Sequence, residues 1–545
     1  MLDSIHQVGG IDIVTMHHEQ AASFAVDGFA RMANKPGIAM ATSGPGATNL
    51  LTGIASCFFD SVPGLFITGQ VNIHEQKGSR AIRQLGFQET DIVSMAIPIT
   101  KASFRVSSAQ ELPSLMEKAY QITLEGRPGP VLVDIPMNVQ REIISDSALA
   151  EKMVKELSKP TISDKTLDEL VLDIQSAKRP LILAGRGIRS SQSLAEFTEF
   201  INRVNIPIVT SLLGLDTIPF KHQLRAGFIG SYGNRWANIA IGQSDLILVL
   251  GSRLDIRQTG ADTDFFERDR KIYHVDCEPG EINNRLKNSI PILANLTDFF
   301  QSFQLRTGGK SFSAKLDWMA EINHLKIQNA DLKELGEIDG INPNDFMHKL
   351  SGYSGKASAF LADVGNHQMW AAQSLEIGEN QSFITSGGMG AMGHAFPAAI
   401  GVYFASKKPV VVICGDGGFQ LNIQELQTVF RNQIPLKMIV INNKNLGMIR
   451  QFQDSYFQSR YQSTFWGYSP PDFEKVSNAY GIEAITISET EQIPEALSQM
   501  WANPDQPFLL QVMVNSFANA YPKIAFGKPL TEMEPDFKPL DMEGT

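Results

Sequence analysis

Cysteine is scarce: three in 545 residues, Cys57, Cys277 and Cys414, with no metal-like spacing among them. That excludes a disulfide scaffold and a thiolate zinc site, and it fits the reduced thiols of a cytoplasmic chain. Long hydrophobic runs are missing too, none approaching the roughly 18 residues of a membrane span. The opening MLDSIHQVGG lacks the basic start and apolar core of a secretion signal. Basic residues are in deficit, 47 against 58 acidic, and the resulting net charge of −11 argues against nucleic acid as a partner. Low-complexity tracts and short-period repeats are absent, which sets aside repeat architectures.

What is present is an ordinary globular composition, 43% hydrophobic and 19% charged, in a chain long enough for about three domains. Strand-like and helix-like segments alternate nearly throughout, which predicts an α/β protein of three doubly wound parallel-sheet domains. Polar stretches at 151–165 and 328–344 put the boundaries near 160 and 340, giving domains 1–160, 161–340 and 341–545. The first and third domains both carry Gly-rich strand-to-helix turns, where open α/β sheets bind ligands.

The sharpest signal is CGDGGFQLNIQELQTVFRNQIPLKMIVINNKN, residues 414–445. The apolar runs 409–414 and 436–441 read as buried strands. Between them Asn422 and Glu425 predict a capping box, with Ile423, Leu426, Val429 and Phe430 on one helical face. A right-handed parallel unit ends both strands on one sheet edge, so Asp416 should meet Asn442 and Asn443. Hard oxygen ligands suit magnesium, which is held by one or two carboxylates together with phosphate oxygens and water. Asp416, Asn443 and Asn445 would supply half an octahedron, and Gly417 and Gly418 would offer N–H groups to a diphosphate. A GDG alone reads as an ordinary turn. The paired asparagines, 24 residues after Gly417 (418 to 441), make it a candidate site.

GDG followed by NN at this spacing resembles the thiamine-diphosphate motif of the pyruvate decarboxylase and acetolactate synthase superfamily. DVGNHQMWAAQ (363–373) and SGGMGAMGHAFPAAIG (386–401) are similar to the acetolactate synthase large subunit, and the likeness runs over almost the whole chain. The resemblance implies that Asn366 and His367 contact the diphosphate and that Gly415, Leu446, Gly447 and Met448 border it. Gly390 would accept from the aminopyrimidine. Met392, which otherwise reads as core packing, would wedge under the bent cofactor.

In the first domain, IDIVTMHHEQAASFAVDGFARM reads as a strand over 11–16 and a helix from Glu19, with Ala22, Val26 and Phe29 inward. By helix propensity Glu19 is a first-turn acid. By resemblance it is the cofactor-activating acid, lending a proton to the pyrimidine so that its imino form can deprotonate the thiazolium carbon. Gly44 and Pro45 would let the backbone approach the pyrimidine, with Asn49 fixing that turn. Gln88 and Lys101 match positions near the reacting centre. In the central domain Gly185, Arg186, Gly187, Arg253, Arg257, Asp276 and Glu278 match a flavin-binding region, which makes FAD a candidate; a GxG by itself is weak evidence. The implied reaction is a decarboxylating two-carbon transfer from a 2-oxo acid, pyruvate foremost, giving 2-acetolactate. The implied assembly is a homodimer or homotetramer, with Glu19 and the GDG domain meeting from different subunits and a small regulatory subunit as a further partner.

Three features depart from the family pattern. The chain opens about one strand short of the usual start. The connection between Val71 and Phe87 is longer, with His74, Lys77, Arg80 and Arg83 in it. Arg450 and Phe452 replace an aliphatic residue and a tryptophan, and Asp255-Ile256-Arg257 replaces Asp-Asp-Arg. Together they imply a wider, more basic pocket mouth. The alternative readings are therefore a carboligase with another acceptor, such as a ketosugar, and an inactive cofactor-binding homologue. The Pro-rich stretch 520–537 is a candidate lid.

Overall fold

The computed structural model describes residues 1–144 and 162–540. The boundary expected near 160 lies outside the described residues. Three all-parallel sheets succeed one another along the chain. The first holds β1 (Gly37–Ala41), β2 (Gly64–Gln70), β3 (Ala102–Arg105) and β4 (Pro130–Pro136) in the order β1-β2-β4-β3. The second holds β5 (Pro180–Ala184), β6 (Ile208–Thr210), β7 (Arg225–Phe228), β8 (Leu246–Leu250), β9 (Lys271–Asp276) and β10 (Ile290–Leu293) in the order β10-β9-β8-β5-β6-β7. The third holds β11 (Ala359–Ala362), β12 (Ser382–Ile384), β13 (Val410–Gly415), β14 (Leu436–Asn442), β15 (Ala484–Ile487) and β16 (Phe508–Met513) in the order β12-β11-β13-β14-β16-β15.

β13 and β14 are buried at every residue, as continuous apolar runs covered by helices on both faces must be. Their register sets Gly415 against Ile441, which brings Asp416 and Asn442 to the same edge. The turn chemistry between these strands differs from expectation. Asn422 does not cap the following helix; its Nδ2 donates to Gly393 O at 2.8 Å. Glu425 accepts from His17 N and His18 N, each at 3.0 Å, so the capping box does not form. Leu426 and Val429 are buried, whereas Phe430 is 39% exposed.

That use of Glu425 also explains why 11–16 is not a strand. The backbone donors just beyond it are taken by a carboxylate of the third domain, and Thr15 O accepts from Arg431, so the segment lies on that domain instead of joining a ladder. β1 is therefore an edge strand, with Ile38 turned outward.

The helix Glu19–Ala33 does begin at Glu19, capped by His18 Nδ1 accepting from Gln20 N. Its buried side includes Phe24, Asp27, Gly28 and Arg31, while Ala22 and Phe29 are only half-buried. The reason is its neighbour, the helix Ala395–Ser406, which it touches backbone to backbone. A Cβ on Gly28 would stand 1.9 Å from Ala398 O, and one on Gly401 would stand 1.9 Å from Ala25 O.

The stretch 520–537 is seated rather than free. Ile524 N donates to Ser231 O, Arg235 donates to Met533 O and Glu534 O, and Leu530 and Met533 are buried in the central domain's core. Its short hairpin pairs Lys523–Ile524 with Met533–Glu534.

Overpacking a helix contact of this kind costs about 1–3 kcal/mol or more. Gly28→Ala should therefore lower the melting temperature by several degrees. Gly352→Ala, in the helix Pro343–Tyr353 with nothing near its Cβ position, should leave it unchanged or slightly raised. Differential scanning calorimetry of the two variants makes the comparison.

Candidate active site

The carboxyl edge of the third sheet is built where backbones crowd. Gly418 admits Asp363, whose Oδ2 would lie 2.0 Å from an added Cβ; Gly447 admits Asn443 Nδ2 and Asn366 Nδ2, at 2.5 and 2.9 Å from the equivalent point. Asn442 Oδ1 accepts from Lys444 N, which turns the chain through a positive φ at Lys444. Asn445 Nδ2 donates to Asn443 O at 2.8 Å and to Ser516 O at 2.7 Å, so its amide oxygen faces the other way. Asn366 Nδ2 likewise donates to Ala518 O.

The consequence is three buried side-chain oxygens without a hydrogen-bond partner in the chain: Asp416 Oδ2, Asn366 Oδ1 and Asn445 Oδ1. Each unpaired buried group costs about 1–3 kcal/mol, so the cluster fits a hard cation and polar ligand atoms that would satisfy it. Among the described residues no group of three His, Cys, Asp or Glu side chains could hold a metal. One carboxylate among amide oxygens, completed by phosphate and water, is a magnesium-type donor set. Burial pushes the Asp416 carboxyl up to about 7, against the hydrogen bond that it accepts from Gly417 N.

His367 is placed differently from its neighbour Asn366. Its Nε2 accepts from Gly415 N at 3.1 Å, and burial holds its pKa down to about 3. It is thus a neutral prop behind the GDG turn rather than a cation. Tyr468 was not legible in the sequence. It comes from a loop after the helix Gly447–Tyr456; its hydroxyl takes Gln420 Nε2 at 3.5 Å and lies beside Asp416. No motif marks it.

Above this edge runs the turn 386–394. Gly390 has a φ of +64°, and Met392 is 36% exposed. The Cβ position of Gly417 lies 2.6 Å from Leu446 Cδ2 and 3.3 Å from Met392 Cε, so these three residues line one small apolar wall. Met448 borders the same region from the helix Gly447–Tyr456.

On the first sheet's edge, Asn49 Nδ2 donates to Glu19 Oε2 at 3.0 Å, so Asn49 orients the acid. The Cβ position of Gly46 is 3.3 Å from Glu19 Oε1, and that of Gly44 is 2.9 Å from Gln88 Cβ. Glu19, the Gly44–Pro45–Gly46 turn, Asn49 and Gln88 thus form one group. Lys101 stands elsewhere, donating to Glu125 O with Cys277 and Glu278 nearby; burial lowers its pKa. The longer connection folds onto Glu89, whose carboxylate accepts from Lys77 N and Leu85 N. Arg80 is spent on Gln76 O and Lys77 O.

Arg450 does not contribute to the expected basic mouth. It is 1% exposed, paired with Asp454 and Asn519 and stacked 5.2 Å from Phe517. Its charge is neutralised inside the protein. Phe452 is half-exposed, 4.5 Å from the ring of Tyr456.

The central domain contributes a cavity of about 370 Å³ that reaches from Arg186, Gly187, Arg253, Arg257 and Asp276 to Gly390 and Met448. Arg186 Nε is buried without a partner, and desolvation and then Arg31 hold its pKa down to about 10. Gly185 and Gly187 are there for backbone approach, their Cβ positions falling 2.2 Å from Gly251 O and 2.6 Å from Gly251 Cα. Burial raises the Asp276 pKa, and Asp276 Oδ1 accepts from Glu278 N at 2.9 Å.

Three family models match in order. They are the N-terminal TPP binding domain of thiamine pyrophosphate enzymes over residues 1–95, the central domain over 167–303 and the C-terminal TPP binding domain over 363–512. The acetolactate synthase large subunit of Lactococcus lactis subsp. lactis (strain IL1403) is 35% identical over 538 residues, covering 98% of this chain and 91% of that protein. The acetolactate synthase isozyme 2 large subunit of Escherichia coli (strain K12) is 34% identical over 526 residues, covering 96% and 92%. The acetolactate synthase large subunit of Corynebacterium glutamicum is 34% identical over 540 residues, covering 98% and 85%.

A hard cation needs the Asp416 carboxylate, and below about 7 a proton competes for it. Magnesium uptake by the coenzyme-free protein should therefore weaken by up to about tenfold per unit as pH falls below that value. Calorimetric titrations one unit either side of it measure the effect. Asp416→Asn should abolish the pH dependence together with most of the binding.

Proposed function

The chain belongs to the thiamine pyrophosphate enzymes, in the acetolactate synthase large-subunit family, and from that membership we propose that it joins two pyruvate molecules into 2-acetolactate with release of CO2. The observation that carries the reading is the set of unpaired buried oxygens at Asp416, Asn366 and Asn445, beside the glycine turn that opens the helix Asp416–Gln420. Asp416, Asn443 and Asn445 would hold Mg²⁺, Gly418 would present its backbone N–H, and Asn366 would meet the diphosphate, while Gly417 N–H already bonds Asp416 Oδ1.

Thiamine diphosphate, when bound, supplies the electron sink that decarboxylation of a 2-oxo acid requires. The chain does the rest. Glu19, oriented by Asn49, shares a proton with the pyrimidine ring. Met392, with Leu446 and Gly417, gives an apolar wall against which the coenzyme would rest, and Gly390 would accept from its amino group. Gln88 offers a polar contact at the reacting end. The cavity lined by Arg186, Arg253 and Arg257 takes an anionic dinucleotide, FAD being the candidate, and the unpaired Arg186 Nε supports an anion there.

Exposed Met389, Met392, Ile449 and Phe87 would be dry in a homodimer that brings the first domain of one copy onto the third domain of the other. The "large subunit" in the relatives' names supports a smaller regulatory partner. Arg450, neutralised within the protein, gives no support to an acidic or sugar acceptor over pyruvate. No helix among the described residues is long and apolar enough to cross a membrane.

Purified protein saturated with Mg²⁺ and coenzyme should convert pyruvate to acetolactate and CO2 in a one-to-one ratio; absence of both products would refute the reading. Glu19→Gln should slow turnover roughly 10²–10⁴-fold while calorimetry still shows coenzyme uptake.

A further inference from the structure

The turn 386–394 is held at both shoulders by carboxylates from different domains. At its far end Asp363 Oδ2 accepts from Gly393 N at 2.9 Å and Oδ1 from His394 N at 3.1 Å. At its near end the acceptor is Asp60, from the end of the first-domain helix Leu51–Phe59. Asp60 Oδ2 takes Gly387 N at 2.9 Å and Oδ1 takes Gly388 N at 2.7 Å. The exposed segment between the shoulders contains Gly390 and Met392.

Asp60 is 3% exposed, and it shares Arg31 with Asp27, which also faces His394 Nε2 at 3.3 Å. Arg31 Nη2 donates to Asp60 Oδ2 at 2.9 Å, and Arg31 Nε donates to Asp27 Oδ1 at 2.6 Å. Asp27 and Arg31 belong to the helix that opens with Glu19. The fit is close: a Cβ on Gly388 would stand 2.7 Å from Phe59 Cβ and 3.0 Å from Asp60 Oδ1. A buried ion pair that contributed only stability could be replaced by apolar packing. A carboxylate aimed at two consecutive N–H groups instead sets where a turn sits, because both bonds are short and charge-assisted.

We propose that Asp60 is a positioning residue for the coenzyme turn: through Gly387 and Gly388 it sets the height of Gly390 and Met392 over the GDG edge, and through Arg31 it locks that height to the Glu19 helix. The proposal rests on the coenzyme reading above and adds to it a residue that need not touch coenzyme or substrate. A displacement of about 1 Å at such a turn costs roughly a hundredfold in rate.

The test uses the full chain. Asp60→Asn keeps the shape but removes the charge and one acceptor. Asp60→Glu keeps the charge beside Arg31 and moves the oxygens off the two N–H groups. Both are compared with the parent for coenzyme affinity by titration, for the near-ultraviolet circular-dichroism band of bound coenzyme, for melting temperature, and for kcat and KM at saturating coenzyme. The expected result is a folded Asp60→Glu protein with coenzyme affinity at least about tenfold weaker, an altered dichroism band and kcat down about a hundredfold, with the pyruvate KM within about threefold of the parent's. A variant that folds and matches the parent in affinity, band and kcat overturns the proposal. Failure of both variants to fold also overturns it, marking Asp60 as a residue of the fold alone. If the parent itself takes up no coenzyme, the reading of the site has failed instead.

Discussion

Two helices touch backbone to backbone, and that contact ties the first domain to the third. Gly28 of Glu19–Ala33 meets Ala398 O, and Gly401 of Ala395–Ser406 meets Ala25 O. The first helix begins with the candidate acid; the second begins just after the turn that carries Gly390 and Met392. Because both contacts are backbone to backbone, neither helix can shift without collision, and close packing transmits such constraints without slack. The acid and the turn are thereby fixed relative to one another inside a single chain.

Around that contact the protein places polar groups where an apolar core would be cheaper. Asp27, Arg31 and Asp60 are fully paired with one another and with backbone N–H groups. Asp363 does the same from the third domain. Burying such charges is tolerable only when they are satisfied. Other buried oxygens are unpartnered too, among them Asp216 Oδ1 and Asn344 Oδ1, but those of Asp416, Asn366 and Asn445 belong to one sheet edge, where something that the chain does not provide would satisfy them. Arg186 lies on a cavity wall with its Nε unpartnered; Arg450 Nε is unpartnered too, but its terminal nitrogens are met by Asp454 and Asn519.

Much of this was readable in advance because it depends on local periodicity. The apolar runs ending at Cys414 and Ile441 had to be buried parallel strands, and parallel connection alone brings Asp416 to the asparagines. Glu19 at a helix start is likewise a local statement. The misreadings share one cause: a local rule was overruled by a distant partner. The Asn422–Glu425 capping box lost to Gly393 O and to the His17 and His18 amides, which come from more than 390 residues away in the case of Glu425. The strand expected at 11–16 lost to the same carboxylate. Arg450 is the exception: Asp454, which pairs its charge, lies four residues on within GMIRQFQD, and only Asn519 is distant.

Residue order therefore settled which segments become strands and helices, and which chemistry-bearing side chains reach each sheet edge, since periodicity and right-handed crossover act within a few dozen residues. Folding in three dimensions settled which of those side chains are left wanting a partner. Asp60 reaches Gly387 only once two domains pack, and Tyr468 reaches Asp416 and Ser516 reaches Asn445 only once the third domain has folded. Whether a buried oxygen is satisfied depends on every atom around it, and most of those atoms lie far away along the chain.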